Sequence, residues 1–209
     1  MGLQYSITAI GSIILQTSVN SLGSLAVTSV TAAQKICAIV MGPLESLGIT
    51  MATFCGQNLG AKKPERAGKV TLCTLCATLT CAAVTCLICI FLPRQVFGLF
   101  TSDPAVIELG VTFLHIFILH FIVSAIIGAF QAMVMGCGFV ELGFIIGILD
   151  GVVCKIGLSL LFMNVFQMGH QGLWWGVACS RIIPAIICIA YYCSGKWKSR
   201  SLLKESKAG

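Results

Sequence analysis

Six apolar stretches, roughly 3–20, 27–57, 69–92, 107–135, 142–164 and 173–194, take up almost the whole chain and decide what it can fold into. Each approaches or exceeds the ~20 residues that carry an α-helix across the hydrocarbon core of a bilayer. Hydrophobic residues make up 57% of the sequence and charged residues 10%, against roughly 25% charged in soluble domains. A soluble fold has no core large enough to hide that much apolar surface. The expected fold is an all-α integral membrane protein with a six-helix transmembrane lobe over 1–195 and a short basic tail over 196–209.

One polar string interrupts the apolar pattern sharply: Gly56-Gln57-Asn58-Leu59-Gly60-Ala61-Lys62-Lys63-Pro64-Glu65-Arg66-Ala67. Gly56 and Gly60 tolerate the backbone angles at which a helix stops, and Pro64 with Glu65 suits the first turn of the next. Lys62, Lys63, Arg66 and Lys69 crowd this turn, and positively charged loops resist translocation, so it is assigned to the cytoplasm. With that side fixed, nine basic residues (Lys62, Lys63, Arg66, Lys69, Lys196, Lys198, Arg200, Lys204, Lys207) fall inside and only Arg94 outside. Both termini are then expected in the cytoplasm, in a multi-pass protein of the cell membrane. The net charge of +6 reflects this topology and contact with anionic headgroups, not nucleic-acid binding.

Composition and motifs exclude several classes. Cys73-x-x-Cys76 and Cys86-x-x-Cys89 imitate a zinc-ribbon spacing, yet they lie in one apolar run, where a helix would spread them over about 24 Å at ~1.5 Å per residue. Cysteine as a small apolar packing residue is the expected role, with no metal. No nucleotide-binding glycine loop, HExxH or Ser/His/Asp arrangement occurs, so no enzyme activity and no cofactor is expected. No signal peptide is visible. Met1-Gly2 with Ser6 fits the short N-myristoylation pattern, inside an expected membrane helix.

The candidate functional residues are the polar ones at membrane depth. Gln4, Thr8, Gln16 and Asn20 punctuate the first stretch at i, i+4 spacing and suit either a cavity wall or hydrogen bonds between helices. The second stretch is interrupted by Pro43, where a kink or tilt is expected, and carries Lys35 and Glu45. His115 and His120 lie about 140° apart on a helix and form no metal pair; packing or interfacial placement is the expected role, with proton handling the alternative. Gly143, Gly147 and Gly151 make a small-residue stripe that lets a neighbouring backbone come close. Asp150 and Lys155 are also about 140° apart, so each is expected to pair across to another helix, with Arg181 at comparable depth. Trp174, Trp175 and Trp197 are expected as interfacial anchors, and Phe97, Leu99 and Phe100 as interfacial residues of an outer loop.

Five ionisable residues, Lys35, Glu45, Asp150, Lys155 and Arg181, thus lie inside the expected bilayer. Each costs ~2.5–3.5 kcal/mol at a helix centre. They read either as an ion-coupling site or as pairs that neutralise one another and fix helix register.

The string Gly56–Ala67, with Met1–Ser6, Ala33-Gln34-Lys35-Ile36 and Ser194-Gly195-Lys196-Trp197, resembles the C-terminal half of the multidrug and toxic compound extrusion (MATE) transporters. The resemblance places Gly56, Gln57, Asn58, Gly60, Ala61 and Arg66 in the family's cytoplasmic loop motif. It implies one lobe of a twelve-helix transporter that exports cationic or amphipathic compounds against inward H⁺ or Na⁺ by alternating access. The partner would be an N-terminal lobe or a second copy arranged in parallel, and the chain would be truncated. Some branches of the family carry carboxylates on the first and fourth helices of this half. This chain has only neutral polar groups on the first and histidines with Gln131 on the fourth, so coupling would rest on Glu45, Asp150 or the partner lobe. A non-transporting membrane interaction protein, an inert fragment, or a lipid-linked substrate flippase of the same superfamily are the alternatives.

Overall fold

The computed structural model describes residues 13, 16, 17, 19, 20 and 23–199, apart from the side chains of His170 and Ser199. Most of the stretch expected at 3–20, including Gln4 and Thr8, lies outside the described residues, as does the tail beyond Ser199. The described chain is helical nearly throughout: α1 (Ser24–Gly60), α2 (Pro64–Phe91), the short α3 (Pro93–Gly98), α4 (Pro104–Gly136), α5 (Val140–Val165), α6 (Gly169–Ser180) and α7 (Ile182–Cys193). Five helices among the described residues are long and apolar enough to cross a membrane, α6 and α7 together supplying the fifth over Gln171–Cys193.

α4 is the central post, packed against α1, α2, α6 and α7. Its long apolar run suits that position, with Phe113, Leu114, Phe121, Ala125, Ala129 and Met133 buried along its length. Asp103 caps it, accepting from the Ala105 N–H at 2.9 Å, and Pro104 occupies the first helical position, where its missing N–H costs nothing. α1 runs parallel to α4 in a fixed register. A Cβ built on Gly136 would stand 2.5 Å from the Ala52 carbonyl oxygen, one on Gly56 3.3 Å from the Gly136 oxygen, and one on Gly48 3.6 Å from the Gly128 oxygen. Ser29 Oγ donates to the Val106 carbonyl at 3.2 Å further along the same seam. α2 lies antiparallel on another side, tied by the buried Thr78 hydroxyl to the Ala125 carbonyl at 2.9 Å. Its far face exposes Leu72, Leu79, Val84, Leu87 and Ile88, the surface a membrane-facing helix presents to lipid.

Cys55, Cys86 and Cys89 are buried between helices as the packing reading expects, whereas Cys73 and Cys76 are exposed. Among the described residues no three His, Cys, Asp or Glu side chains converge as metal ligands.

The polar string turns differently from the expectation. α1 continues through both Gly56 and Gly60, and the left-handed residue is Lys62, with φ of 56°. Lys62 N–H bonds the Leu59 carbonyl and Lys63 N–H the Asn58 carbonyl, at 2.9 and 2.8 Å. That pair is a Schellman termination. Gly56 is instead a contact residue against α4, and a helix with this termination has no need of glycine at 60. The same division appears after α4, where Gly138, at φ of 67°, makes the stop and Gly136 the contact.

Three aromatic expectations are corrected. Trp174 is 3% exposed and packs edge-on against Phe113, inside the bundle and not at its boundary. Trp197 is 1% exposed: it stacks on Tyr192, donates to the Tyr192 carbonyl at 2.9 Å and lies against Gly68. It therefore pins the chain after α7 to the start of α2. Phe97 is fully buried on Gly110, while Leu99 and Phe100 of that turn are exposed. The polar connection expected over Asn164–Gly172 shrinks to 166–168 between α5 and α6.

Replacing Gly136 with Val should destabilise the protein by about 1–3 kcal/mol through forced separation of α1 and α4, whereas Gly42→Ala, where nothing lies within 4 Å, should not destabilise it. Thermal unfolding in detergent distinguishes the two, and equal midpoints for Gly136→Val and wild type would contradict the close seam.

Candidate functional site

In the half of the bundle remote from the Lys62 turn, α1, α4, α5 and α6 line a partly open cavity of about 260 Å³, with Gln16 and Val19 of the preceding stretch also on its wall. Two local departures from α-helix geometry build it. In α5 the backbone over Leu149–Cys154 is π-helical. Bonds spanning five residues widen the turn and swing side chains five apart towards one face. Asp150 and Lys155, expected on different faces, accordingly line the same cavity. The second departure is a proline. Pro184 has no N–H for the Ser180 carbonyl and its ring crowds that carbonyl. The helix is interrupted between Ser180 and Ile182, with Arg181 at the break.

Arg181 thus leaves the chain where it reaches α5 and α4 together. Its Nε stands 3.4 Å from Asp150 Oδ2, and its Nη1 donates to Ser124 Oγ at 3.1 Å. Both ionic side chains are mostly buried, 30% and 21% exposed for Arg181 and Asp150. The cross-helix partner that the sequence expected for Asp150 is therefore Arg181. His120 enters the same space from α4; it hydrogen-bonds the Val177 backbone, and its Nδ1 is buried with no partner among the described residues. Phe113, Phe117 and Trp174 form an aromatic wall. Gln34 Nε2 faces Gln16 Oε1 at 3.5 Å, and Gln16 Nε2 donates to Asn20 Oδ1 at 3.2 Å, so those amides interact along the rim.

The structure brings together Asp150, Lys155, Arg181, Gln16 and Gly151. It leaves Glu45 and Lys35 off the cavity wall, exposed on α1 with Ser46 and Thr50. Gly143, Gly147 and Gly151 are all buried. The motif residues Gly56 to Arg66 stand at the opposite end of the molecule. There Asn58 Nδ2 caps the Phe54 carbonyl at 2.7 Å, Ala67 is fully buried and Arg66 is exposed.

Sequence reasoning missed His120, Ser124 and Trp174. The signal was present for the α4 residues: Phe113, Phe117, His120 and Ser124 repeat at four, three and four, one face of a helix. Trp174 carried none, because a Trp-Trp pair near a helix start reads as an interface anchor.

Long apolar helices around a partly open cavity lined by charged and aromatic side chains define a multi-pass membrane protein with a polar pocket within its bundle. The MatE family model matches residues 1–161, and the chain belongs to the MatE family. It is 27% identical over 153 residues to multidrug and toxin extrusion protein 1 of Xenopus tropicalis, an alignment covering 73% of this chain and 27% of that protein. It is 24% identical over 211 residues to the probable multidrug resistance protein YpnP of Bacillus subtilis, covering 98% and 45%. A multidrug resistance MATE family transporter of the MOP superfamily, solved in an outward-facing conformation, superposes with a TM-score of 0.86 at 14% identity, over 99% of this chain and 46% of that one. The chain spans less than half the length of these relatives.

Removing one partner of the Asp150–Arg181 pair leaves a charge stranded at depth. Asp150→Asn and Arg181→Gln should each lower stability by about 1–3 kcal/mol, and the double variant should cost less than their sum. Unfolding midpoints of the four proteins in detergent test this; strict additivity would show the pair to be energetically silent.

Proposed function

We propose that the chain is the C-terminal lobe of a cation-coupled multidrug antiporter, which exports cationic or amphipathic compounds by alternating access with a partner lobe. The supporting observation is the charged cavity inside an apolar bundle. In a bilayer a buried ionic cluster is costly and persists where it faces a wet passage or a partner. Membership of the MatE family supplies the transport class. The length relative to its relatives supports a partner lobe, either an N-terminal MATE-type lobe or a second parallel copy.

Transport energy comes from an H⁺ or Na⁺ gradient, with Asp150 in the cavity and Glu45 on the exposed polar face of α1 as the carboxylates that exchange the ion. Lys35, Lys155 and Arg181 set the charge around them. The protein sits in the cell membrane with the basic Lys62 turn and both termini in the cytoplasm, as the excess of basic residues at that end favours. It is a transporter lobe, not an enzyme. One observation favours a second reading: the Asp150–Arg181 pair with its Ser124 contact would also fix helix register in a membrane protein that moves nothing.

Proteoliposomes holding this chain together with a six-span N-terminal lobe should show dye flux that depends on an imposed H⁺ or Na⁺ gradient. Glu45→Gln and Asp150→Asn together should reduce that flux to the level seen without a gradient. Undiminished flux in the double variant would assign the carboxylates to packing alone.

A further inference from the structure

The cavity carries more positive than negative charge. Arg181 and Lys155 bring two cations to its wall and Asp150 one carboxylate, with His120 and the Cys37 thiol the remaining titratable side chains described there. The stretch that contributes Gln16 and Val19 does not alter this balance, because residues 1–22 contain no Asp, Glu, Lys, Arg or His. The other acidic, basic and histidine side chains described on the lining helices stand elsewhere: Lys35, Glu45, His115 and Glu141 are exposed, and Glu108 pairs with Arg94 at 2.6 Å near the start of α4.

Asp150 does not exhaust Arg181. The carboxylate meets Nε through one oxygen at 3.4 Å, and Ser124 takes Nη1. These contacts engage two of the five N–H donors of a guanidinium, whose fork is built for two-pronged binding of an oxyanion. His120 Nδ1, on a side chain 9% exposed, is a buried acceptor that no described residue satisfies, and such a group calls for a ligand donor or a water. Phe113, Phe117 and Trp174 line the same cavity as a packed aromatic group, Phe113 stacked on Phe117 and edge-on to Trp174. A volume of about 260 Å³ has room for one substituted ring.

We propose that this cavity binds a small aromatic carboxylate, its ring against Phe113, Phe117 and Trp174 and its carboxylate on Arg181 beside Lys155. The inference rests on the transport reading for the cavity's access to solute and narrows its substrate class at this site: the cavity takes amphipathic anions, and cationic cargo would be held outside it, by the partner lobe. Asp150 opposes the ligand electrostatically while holding Arg181 in place. Removing its charge should therefore tighten binding, the reverse of what a cation site would show.

The test is equilibrium binding to the purified full chain in detergent by titration calorimetry, with benzoate and the similarly sized benzylammonium as probes and no gradient or partner lobe required. Benzoate should bind saturably and benzylammonium should not. Arg181→Gln should weaken benzoate by about tenfold or more, the range of a lost charge-assisted hydrogen bond, and Asp150→Asn should strengthen it. Lys155→Gln gives a second reading should Arg181→Gln fail to fold, and it too should weaken benzoate. Benzylammonium binding as tightly as benzoate, or no saturable benzoate binding to the wild-type chain, overturns the proposal. Loss of benzoate binding for folded Asp150→Asn overturns it as well. Because no flux is measured, absent benzoate binding alongside gradient-driven dye transport would refute the anion site alone, and the converse would refute the transport reading alone.

Discussion

Hydrocarbon offers no hydrogen bonds, and the contact between Arg181 and Asp150 is where this protein meets that constraint most directly. A guanidinium and a carboxylate persist at depth only if each finds its counterpart inside the bundle. For that, α5, α6 and α4 must stand in one relative placement. Arg181 has to emerge at a break in its helix, Asp150 on a turn of altered pitch, and Ser124 on the central post beside them. Cavity, register and helix order are all conditions for this single bonded group. The same constraint explains the buried hydroxyls of Ser29 and Thr78, which donate to carbonyls of α4.

The membrane class and the long helices were legible because apolar runs of this length have one outcome in a lipid solvent. The MATE resemblance was legible in the string around Gly56–Ala67, although the physical role assigned to its glycines was wrong. Gly56 is shaped by a neighbour eighty positions away, the carbonyl of Gly136, and no local rule reports such a contact. Lys62 takes the left-handed turn that glycine usually takes, since the bonds from Lys62 and Lys63 to Leu59 and Asn58 close the helix without it.

The site was half legible for a different reason. Asp150, Lys155 and Arg181 stood out by charge, but their grouping depended on the period of the helix that carries them. At a uniform 100° per residue Asp150 and Lys155 point apart, and the wider turn over Leu149–Cys154 turns them together. Nothing in the composition of those six residues announces the change of pitch. His120 was hidden for the opposite reason. It keeps perfect helical spacing with Phe113 and Phe117, and its apolar company made it resemble core.

Stiffness is unevenly distributed as a result. Along the glycine seam α1 and α4 touch backbone to backbone, so that pair behaves as a beam. α5 has two π-helical turns, and the last span is broken at Arg181 ahead of Pro184, which makes the opposite flank the compliant one. Bending of the lobe would concentrate in the flank whose joints carry Asp150 and Arg181, so the ion pair and helix curvature share the same few residues.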